Sequence, residues 1–226
     1  MDDAVRLEHG SGGALSRELI EDVIYPPLAN VLYPSLNDGT EIACSESMFM
    51  TTDTYVIDPP FFPGGNIGHL SVCGTCNDLA VSGAAPRYLS LGFVLEEGFA
   101  IASVRKILES IASSAASVGV SVVTGDTKVV PVGKGGGIYI NSTGVGSKEF
   151  LGVLGPQRVE AGDRVILSGP VGAHGIAILA ARENLPVGTS LKSDCTHLYP
   201  LCLSLLISAT TSSLCVTRRE VVLPPC

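Results

Sequence analysis

The chain has 226 residues, of which 46% are hydrophobic and 16% charged, enough apolar material for one large domain or two small ones and too apolar for global disorder. Fourteen lysines and arginines against 22 aspartates and glutamates leave a net charge of −8, which argues against the basic surface that non-specific nucleic-acid binding requires. No apolar run reaches the roughly 18 residues of a membrane span and no signal-peptide pattern opens the chain, so the seven cysteines read as reduced thiols of a cytoplasmic protein, not as a disulfide framework.

In chain order, "HGSGGALSRELIEDVI" places Leu15, Leu19, Ile20, Val23 and Ile24 at helical spacing, with Ser11 as the expected N-cap. "MFMTTDTYVID" reads as a strand through Tyr55 and Val56, closed by the turn-rich "DPPFFPGGN". "IGHLSVCGTCNDLAVSG" is small, apolar and helical, and Gly83 ends it; "RYLSLGFVLEEG" is a strand leading to an acidic turn. "IASVRKILESIASSAASVG" is the clearest helix, with Ile101, Val104, Ile107, Leu108 and Ile111 on one face and Gly119 at its C-terminal end. Two strands follow, "VSVVTG" and "GIYINSTGVG", the second alternating through Ile138 and Ile140. To about residue 150 the pattern is that of an α+β domain with a substantial sheet.

Ser147 to Gly162 reads as a connector. A second unit then opens with "DRVILSG", a short strand, and "PVGAHGIAILAAREN", a glycine turn into an apolar helix. The 64 residues from Asp163 are too few to complete it (226 − 162), so residues 151–226 are expected to form an incomplete domain. The apolar helix around Ile176 to Ala181 and the segment "LYPLCLSLLISA" are then expected to leave apolar surface uncovered. "SATTSSLCVTRREVVLPPC" has no clear periodicity.

Three acidic stretches carry candidate chemistry: "TTDTY" with Asp53, "CNDLAVSG" with Asn77 and Asp78, and "TGDTKVV" with Asp126 and Lys128. Carboxylate and amide oxygens are hard ligands suited to Mg²⁺, and a lysine nearby neutralises phosphate. Small neighbours, among them Gly74, Thr75, Gly125 and Thr127, let the backbone approach a phosphate closely. Together these stretches suggest a Mg–nucleotide site, although neither a P-loop nor a dinucleotide-binding fingerprint is present. Cys73 and Cys76 have the C-x-x-C spacing, but no second pair of zinc ligands lies at similar spacing. Both are expected to be small buried hydrophobes.

"HGSGG", "TTDTYVIDPPFFPGGNIGHL", "CGTCNDLAVSGAAPRYLSLGFVLEEG", "VVTGDTKVV" and "SGPVGAHGIAIL" closely resemble the HypE family of hydrogenase maturation proteins. That family belongs to the ATP-using superfamily shared with aminoimidazole ribonucleotide synthetase and selenophosphate synthetase. The resemblance runs almost unbroken from about His9 to Cys195. It implies a PurM-like N-terminal domain whose copies pair into a dimeric β-barrel, ATP with Mg²⁺ near the interface, and a C-terminal α+β domain. It also implies an ATP-dependent dehydration, in which a carbamoyl group placed on a terminal cysteine by a carbamoyltransferase becomes a thiocyanate. The cyano group then passes to iron on a scaffold complex and becomes a cyanide ligand of [NiFe] hydrogenase.

Carried over motif by motif, the resemblance makes Asp53, Asn77 and Asp78 the Mg–ATP candidates, with Asp53 and Asp78 on the metal. Gly125 and Thr127 then lie beside the nucleotide and Asp126 and Lys128 at the reacting end; which carboxylate is base and which is ligand stays open. Cys226 becomes the carbamoyl acceptor, a thiol that must travel between two active sites, and Pro224 and Pro225 would keep its tail extended. The tail reads Leu-Pro-Pro-Cys where the family has Pro-Arg-Ile-Cys, and Ala173 stands where the family usually has Asp. Two other functions fit the same residues: another small-molecule kinase or synthetase of the superfamily, and a non-catalytic remnant that still binds ATP or a partner.

Overall fold

The computed structural model describes residues 13–19, 21, 40–42, 47–150, 154–155, 160–163, 167–185 and 191–208. They fall in two units. Helix α1 (Ala14–Leu19) belongs to the unit made of Met1–Leu36 and Arg218–Cys226, and every other element to Asn37–Thr217. α1 forms where leucine spacing predicts it; Ser11, its expected cap, lies outside the described residues, as do the 164–166 core of the "DRVILSG" strand and everything after 208.

The larger unit is built on one sheet. β1 (Thr40–Ile42), β2 (Met48–Val56), β5 (Ala84–Glu96), β6 (Ser121–Val130) and β7 (Ile138–Lys148) lie in the order β1-β2-β7-β5-β6. All neighbours are antiparallel except β5 and β6, which are parallel. Parallel strands need a crossover, and the helix α3 (Ile101–Ser117) supplies it. The turn-rich stretch after β2 folds into a two-residue hairpin, β3 (Phe61–Phe62) with β4 (Gly65–Asn66). Among the described residues the sheet is open, with β1 and β6 at its edges.

α2 (Ile67–Val81) lies against β2, β7 and β5 and is buried along nearly its whole length. Small residues make that burial possible: Gly144 on β7 faces Thr75 and Leu79, where a Cβ would meet both side chains within 3.0 Å. Asn66 caps the helix, its Oδ1 accepting from the N–H groups of Gly68 and His69 at 2.9 and 3.2 Å. At the other end Gly83, at φ +88°, takes the left-handed turn that glycine tolerates. The core joins Ile67, Val72 and Cys76 of α2 to Leu89, Leu91, Ile107, Ile111, Ile138 and Ile140.

α3 differs from its expected packing. Ile107 and Ile111 are buried, but Ile101 and Leu108 are 68% and 43% exposed. The inward stripe continues instead through Ser114 and Ala115, with Ser114 Oγ reaching Cys73 and His69 of α2.

Two helices follow the sheet domain. α4 (Ala173–Arg182) starts at Gly172, with φ +90°, and α5 (Tyr199–Ser208) seats Cys202 against Ala80 and Val81 of α2. Ile176, Leu179, Leu201 and Leu205 are 51%, 44%, 41% and 38% exposed, the uncovered apolar surface expected from the sequence. Among the described residues no helix is long and apolar enough to cross a membrane.

The glycine-rich turn between β6 and β7 wraps one carboxylate. Glu96 accepts from the Gly133 and Gly137 N–H groups at 2.5 and 2.8 Å, and these bonds hold its pKa below the usual glutamate value. A depressed native pKa means stabilisation that is complete above the unfolded value and is lost as pH falls through the native one. The Gly133 and Gly137 amide proton resonances are therefore expected to move together at a midpoint below that of a free glutamate. A midpoint at the ordinary value would overturn the contact.

Candidate functional site

Strand β2 turns an unusual row of side chains toward α2. Thr51, Asp53 and Tyr55 alternate inward, and Thr51 and Tyr55 are buried. The Tyr55 hydroxyl donates to Asp53 Oδ2 at 3.0 Å and lies 3.0 Å from Thr75 Oγ1 on α2. Burial drives the Tyr55 pKa far above its usual value, and the nearby negative charge of Asp78 adds to the shift. Tyr55 is thus a neutral donor that orients one carboxylate and senses a second. One helical turn separates Thr75 from Asp78, so both face the strand. Opposite Asp53 in the β2–β7 ladder stands Ser142, fully buried, whose hydroxyl has no partner among the described residues.

This is a set of hard oxygen donors: two carboxylates, a phenol and three aliphatic hydroxyls. Its chemistry suits Mg²⁺, which prefers oxygen ligands and keeps bound waters for phosphate oxygens to replace. Asp53 and Asp78 are the residues that would hold the ion, with Tyr55 and Thr75 fixing the approach of Asp53.

The other sequence candidates lie elsewhere. Asn77 is buried on α2, but its side chain clasps the chain that leads into α5: Nδ2 donates to the Thr196 carbonyl at 2.9 Å, and Oδ1 accepts from the Leu198 N–H at 2.8 Å. Asp126 and Lys128 sit on the edge strand β6 and pair with each other at 2.7 Å, both about two-thirds exposed. The ammonium of Lys128, with the Thr127 N–H, lowers the Asp126 pKa. In the ladder Asp126 lies opposite Gly92, Gly92 opposite Asn141, and Asn141 opposite Thr54. Asp126 and Lys128 therefore share the outer face with Thr54, three strand spacings or roughly 14 Å from β2, while Asp53 points to the inner face. Gly125 and Thr127 alternate to the inner side; a Cβ on Gly125 would strike the Leu91 carbonyl oxygen, so close strand pairing accounts for this glycine. Cys226 lies outside the described residues.

Tyr55 and Ser142 join the candidate site although the acidic motifs did not single them out, and Thr75, expected there only as a small neighbour, brings its hydroxyl to within 3.0 Å of Tyr55. Tyr55 and Thr75 stood inside the quoted stretches "TTDTY" and "CGTCND", and the inward polar run Thr51-Asp53-Tyr55 was the available signal: a strand against a helix normally turns apolar residues inward.

The family model for the N-terminal domain of AIR synthase related proteins matches residues 36–147. The chain is 43% identical over 203 residues to the carbamoyl dehydratase HypE of Escherichia coli (strain K12), covering 87% of this chain and 60% of that protein. Among solved structures, it superposes on HypE in complex with ATP with a TM-score of 0.70 at 39% identity, covering 90% of this chain and 61% of the other. A chain of a HypE–HypF complex gives 0.77 at 37% identity, covering 87% of this chain and 62% of that one. The chain thus spans about three-fifths of the length of each relative. With β2, α2, β5 and β7 arranged as described, these likenesses make the chain a member of the HypE family, with the α+β fold of the AIR synthase-related, PurM-like proteins.

Proposed function

We propose that the protein acts in hydrogenase maturation as an ATP-dependent carbamoyl dehydratase, converting an S-carboxamide on Cys226 into a thiocyanate in the cytoplasm. The observation that carries this reading is the Asp53–Tyr55–Thr75 constellation beside Asp78, in a chain 39% identical to a HypE that binds ATP. Residues 1–150 form the nucleotide-binding domain in this reading, and residues 151–226 are the part of the second domain present here.

An amide oxygen is a poor leaving group. Its attack on the γ-phosphorus of ATP expels ADP and converts it into a phosphate ester; loss of inorganic phosphate and both amide protons then leaves S–C≡N. Asp53 and Asp78 would hold Mg²⁺, which would supply charge neutralisation at the triphosphate. Tyr55, kept neutral by burial, fixes the orientation of Asp53. Lys128 stabilises charge on the transferring phosphoryl group, and a carboxylate takes the amide protons. Lys128 also keeps Asp126 ionised, as a proton acceptor must be, although the role of base is open to either carboxylate group.

Because Asp126 and Lys128 face away from Asp53 within one chain, the reading requires a second copy. β6 is exposed along almost its whole length, with Val123 and Val129 58% and 68% exposed, as an uncovered half of a dimeric β-barrel would be. Val129→Lys is expected to weaken self-association about thirtyfold, roughly 2 kcal/mol, in sedimentation equilibrium. An unchanged association constant would remove β6 from the interface. Two partners follow from the reaction: a carbamoyltransferase such as the HypF seen with a relative, and the iron-scaffold complex that accepts the cyano group.

The deciding experiment is the intact mass of the chain after incubation with a carbamoyltransferase, carbamoyl phosphate and ATP, with fragmentation to locate the adduct. A carbamoyl or cyano group on Cys226 is expected. An unmodified Cys226, beside a full-length relative that is modified, would refute the assignment.

A further inference from the structure

A second cluster of reactive groups lies across α2 from the carboxylates and takes no part in the reaction above. His69 and Cys73 are four residues apart on α2 and so share one face. Cys195 comes from the chain segment before α5, 122 residues beyond Cys73 in sequence (195 − 73). One ligand atom from each of His69, Cys73 and Cys195 lies within 4.8 Å of the other two. The Cys73 sulfur is 3.7 and 3.5 Å from the Nδ1 and Nε2 of His69. A tetrahedral zinc ion with Zn–S of about 2.3 Å and Zn–N of about 2.0 Å sets neighbouring ligand atoms roughly 3.3–3.8 Å apart. The His69–Cys73 spacing already matches an edge of that tetrahedron.

A fourth donor stands beside them. The His197 ring meets that of His69 edge-on at 6.2 Å, its Nε2 lies 2.9 Å from Ser114 Oγ, and its buried Nδ1 has no hydrogen-bond partner among the described residues. Ser114 Oγ also lies 3.2 Å from His69 Nδ1. One hydroxyl of α3 therefore orients both imidazoles, as outer-shell groups do around metal-bound histidines.

We propose that His69, Cys73 and Cys195 hold Zn²⁺, with the neighbouring His197 moving in as the fourth ligand, in a Cys₂His₂ site that fastens the 193–198 segment onto α2. Thiolate and imidazole are the donor types that zinc prefers, and binding releases the thiol protons. The C-x-x-C spacing plays no part: Cys76 is fully buried in the main core among Val72 and Leu89, and burial raises its thiol to about 12. The Asn77 clasp on Thr196 and Leu198 holds the same segment, so the metal completes an attachment the backbone has begun.

The test uses the full chain, purified reduced and without chelator. Elemental analysis is expected to give about one zinc per chain. Replacement by Co²⁺ should produce tetrahedral d–d bands and thiolate charge-transfer absorption. Cys73→Ser and Cys195→Ser should each weaken Co²⁺ binding about a hundredfold or more and abolish part of the charge-transfer band, whereas Cys76→Ser, outside the cluster, should leave the spectrum unchanged. Stripping zinc from the unsubstituted protein should lower its melting temperature and returning zinc should restore it, a readout independent of whether the serine variants fold. Reduced protein that binds neither metal overturns the proposal. So does a Co²⁺ spectrum indifferent to Cys73→Ser and Cys195→Ser, or a Cys73–Cys195 disulfide as the sole product of the cluster.

Discussion

Asp53→Asn is expected to reduce Mg²⁺-dependent ATP binding, and any ATP turnover, by a hundredfold or more. The substitution keeps size and shape, and the Tyr55 hydroxyl, 3.0 Å from Oδ2, can still donate to an amide oxygen. What is lost is one unit of negative charge facing the proposed cation. Amide oxygens are weaker ligands for Mg²⁺ than carboxylates, and losing a single preorganised electrostatic group at a phosphoryl-transfer site costs about a hundred- to a thousandfold. Tyr55→Phe is the informative companion. It preserves both carboxylates and removes only the group that links Asp53 to Thr75, so its effect should be nearer tenfold. Titration calorimetry with ATP, with and without Mg²⁺, reads both. Asp53→Asn binding within twofold of the parent would take the ion away from β2, and a Tyr55→Phe loss as large as that of Asp53→Asn would make the phenol itself a ligand.

The contrast between these residues and β6 shows which parts of the site local sequence can reveal. "TTDTY" declares itself because a strand cannot turn Thr51, Asp53 and Tyr55 inward without a reason, and period-two alternation is a local property. α2 is similarly legible: only small side chains such as Gly68, Gly74 and Ala80 allow a helix to be buried nearly all round. The relation between Asp53 and Asp126 is not local. It depends on strand order, and β7 and β5 intervene between β2 and β6, so two motifs that look alike as acidic turns end on opposite faces of the sheet. The His69–Cys73–Cys195–His197 cluster is the extreme case. Cys73 and Cys76 are both buried, as their reading as small hydrophobes expects, yet one enters the polar cluster and the other the core. The true neighbours are brought in by a segment whose placement depends on the buried Asn77 amide, and no spacing rule encodes that.

The close seating of α2 on α3 makes a second large effect measurable, and its sign is the test. Gly68 lies in the first turn of α2, at an ordinary negative φ, with its N–H already satisfied by Asn66. By helix propensity alone, Gly68→Ala should stabilise by up to about 1 kcal/mol. Packing opposes this. A Cβ at position 68 would stand 2.5 Å from the Ile107 carbonyl oxygen and 3.0 Å from side-chain atoms of both Ile107 and Ile111. The carbonyl belongs to the backbone of α3 and cannot rotate aside, so α3 must retreat and loosen two residues that are buried in the core. Overpacking of this kind costs about 1–3 kcal/mol, and with rigid backbone as the obstacle the upper half of that range applies. The net expectation is destabilisation by about 2 kcal/mol, or a melting temperature lower by roughly 4–8 °C for a chain of this size. Gly175→Ala in α4 supplies the control, because nothing lies within 4 Å of the added Cβ there and only the propensity gain remains. Denaturant unfolding should therefore give the two glycine-to-alanine substitutions opposite signs. If both stabilise, α2 and α3 do not approach each other as closely as described, and the seating of Thr75 and Asp78 opposite β2 loses its support.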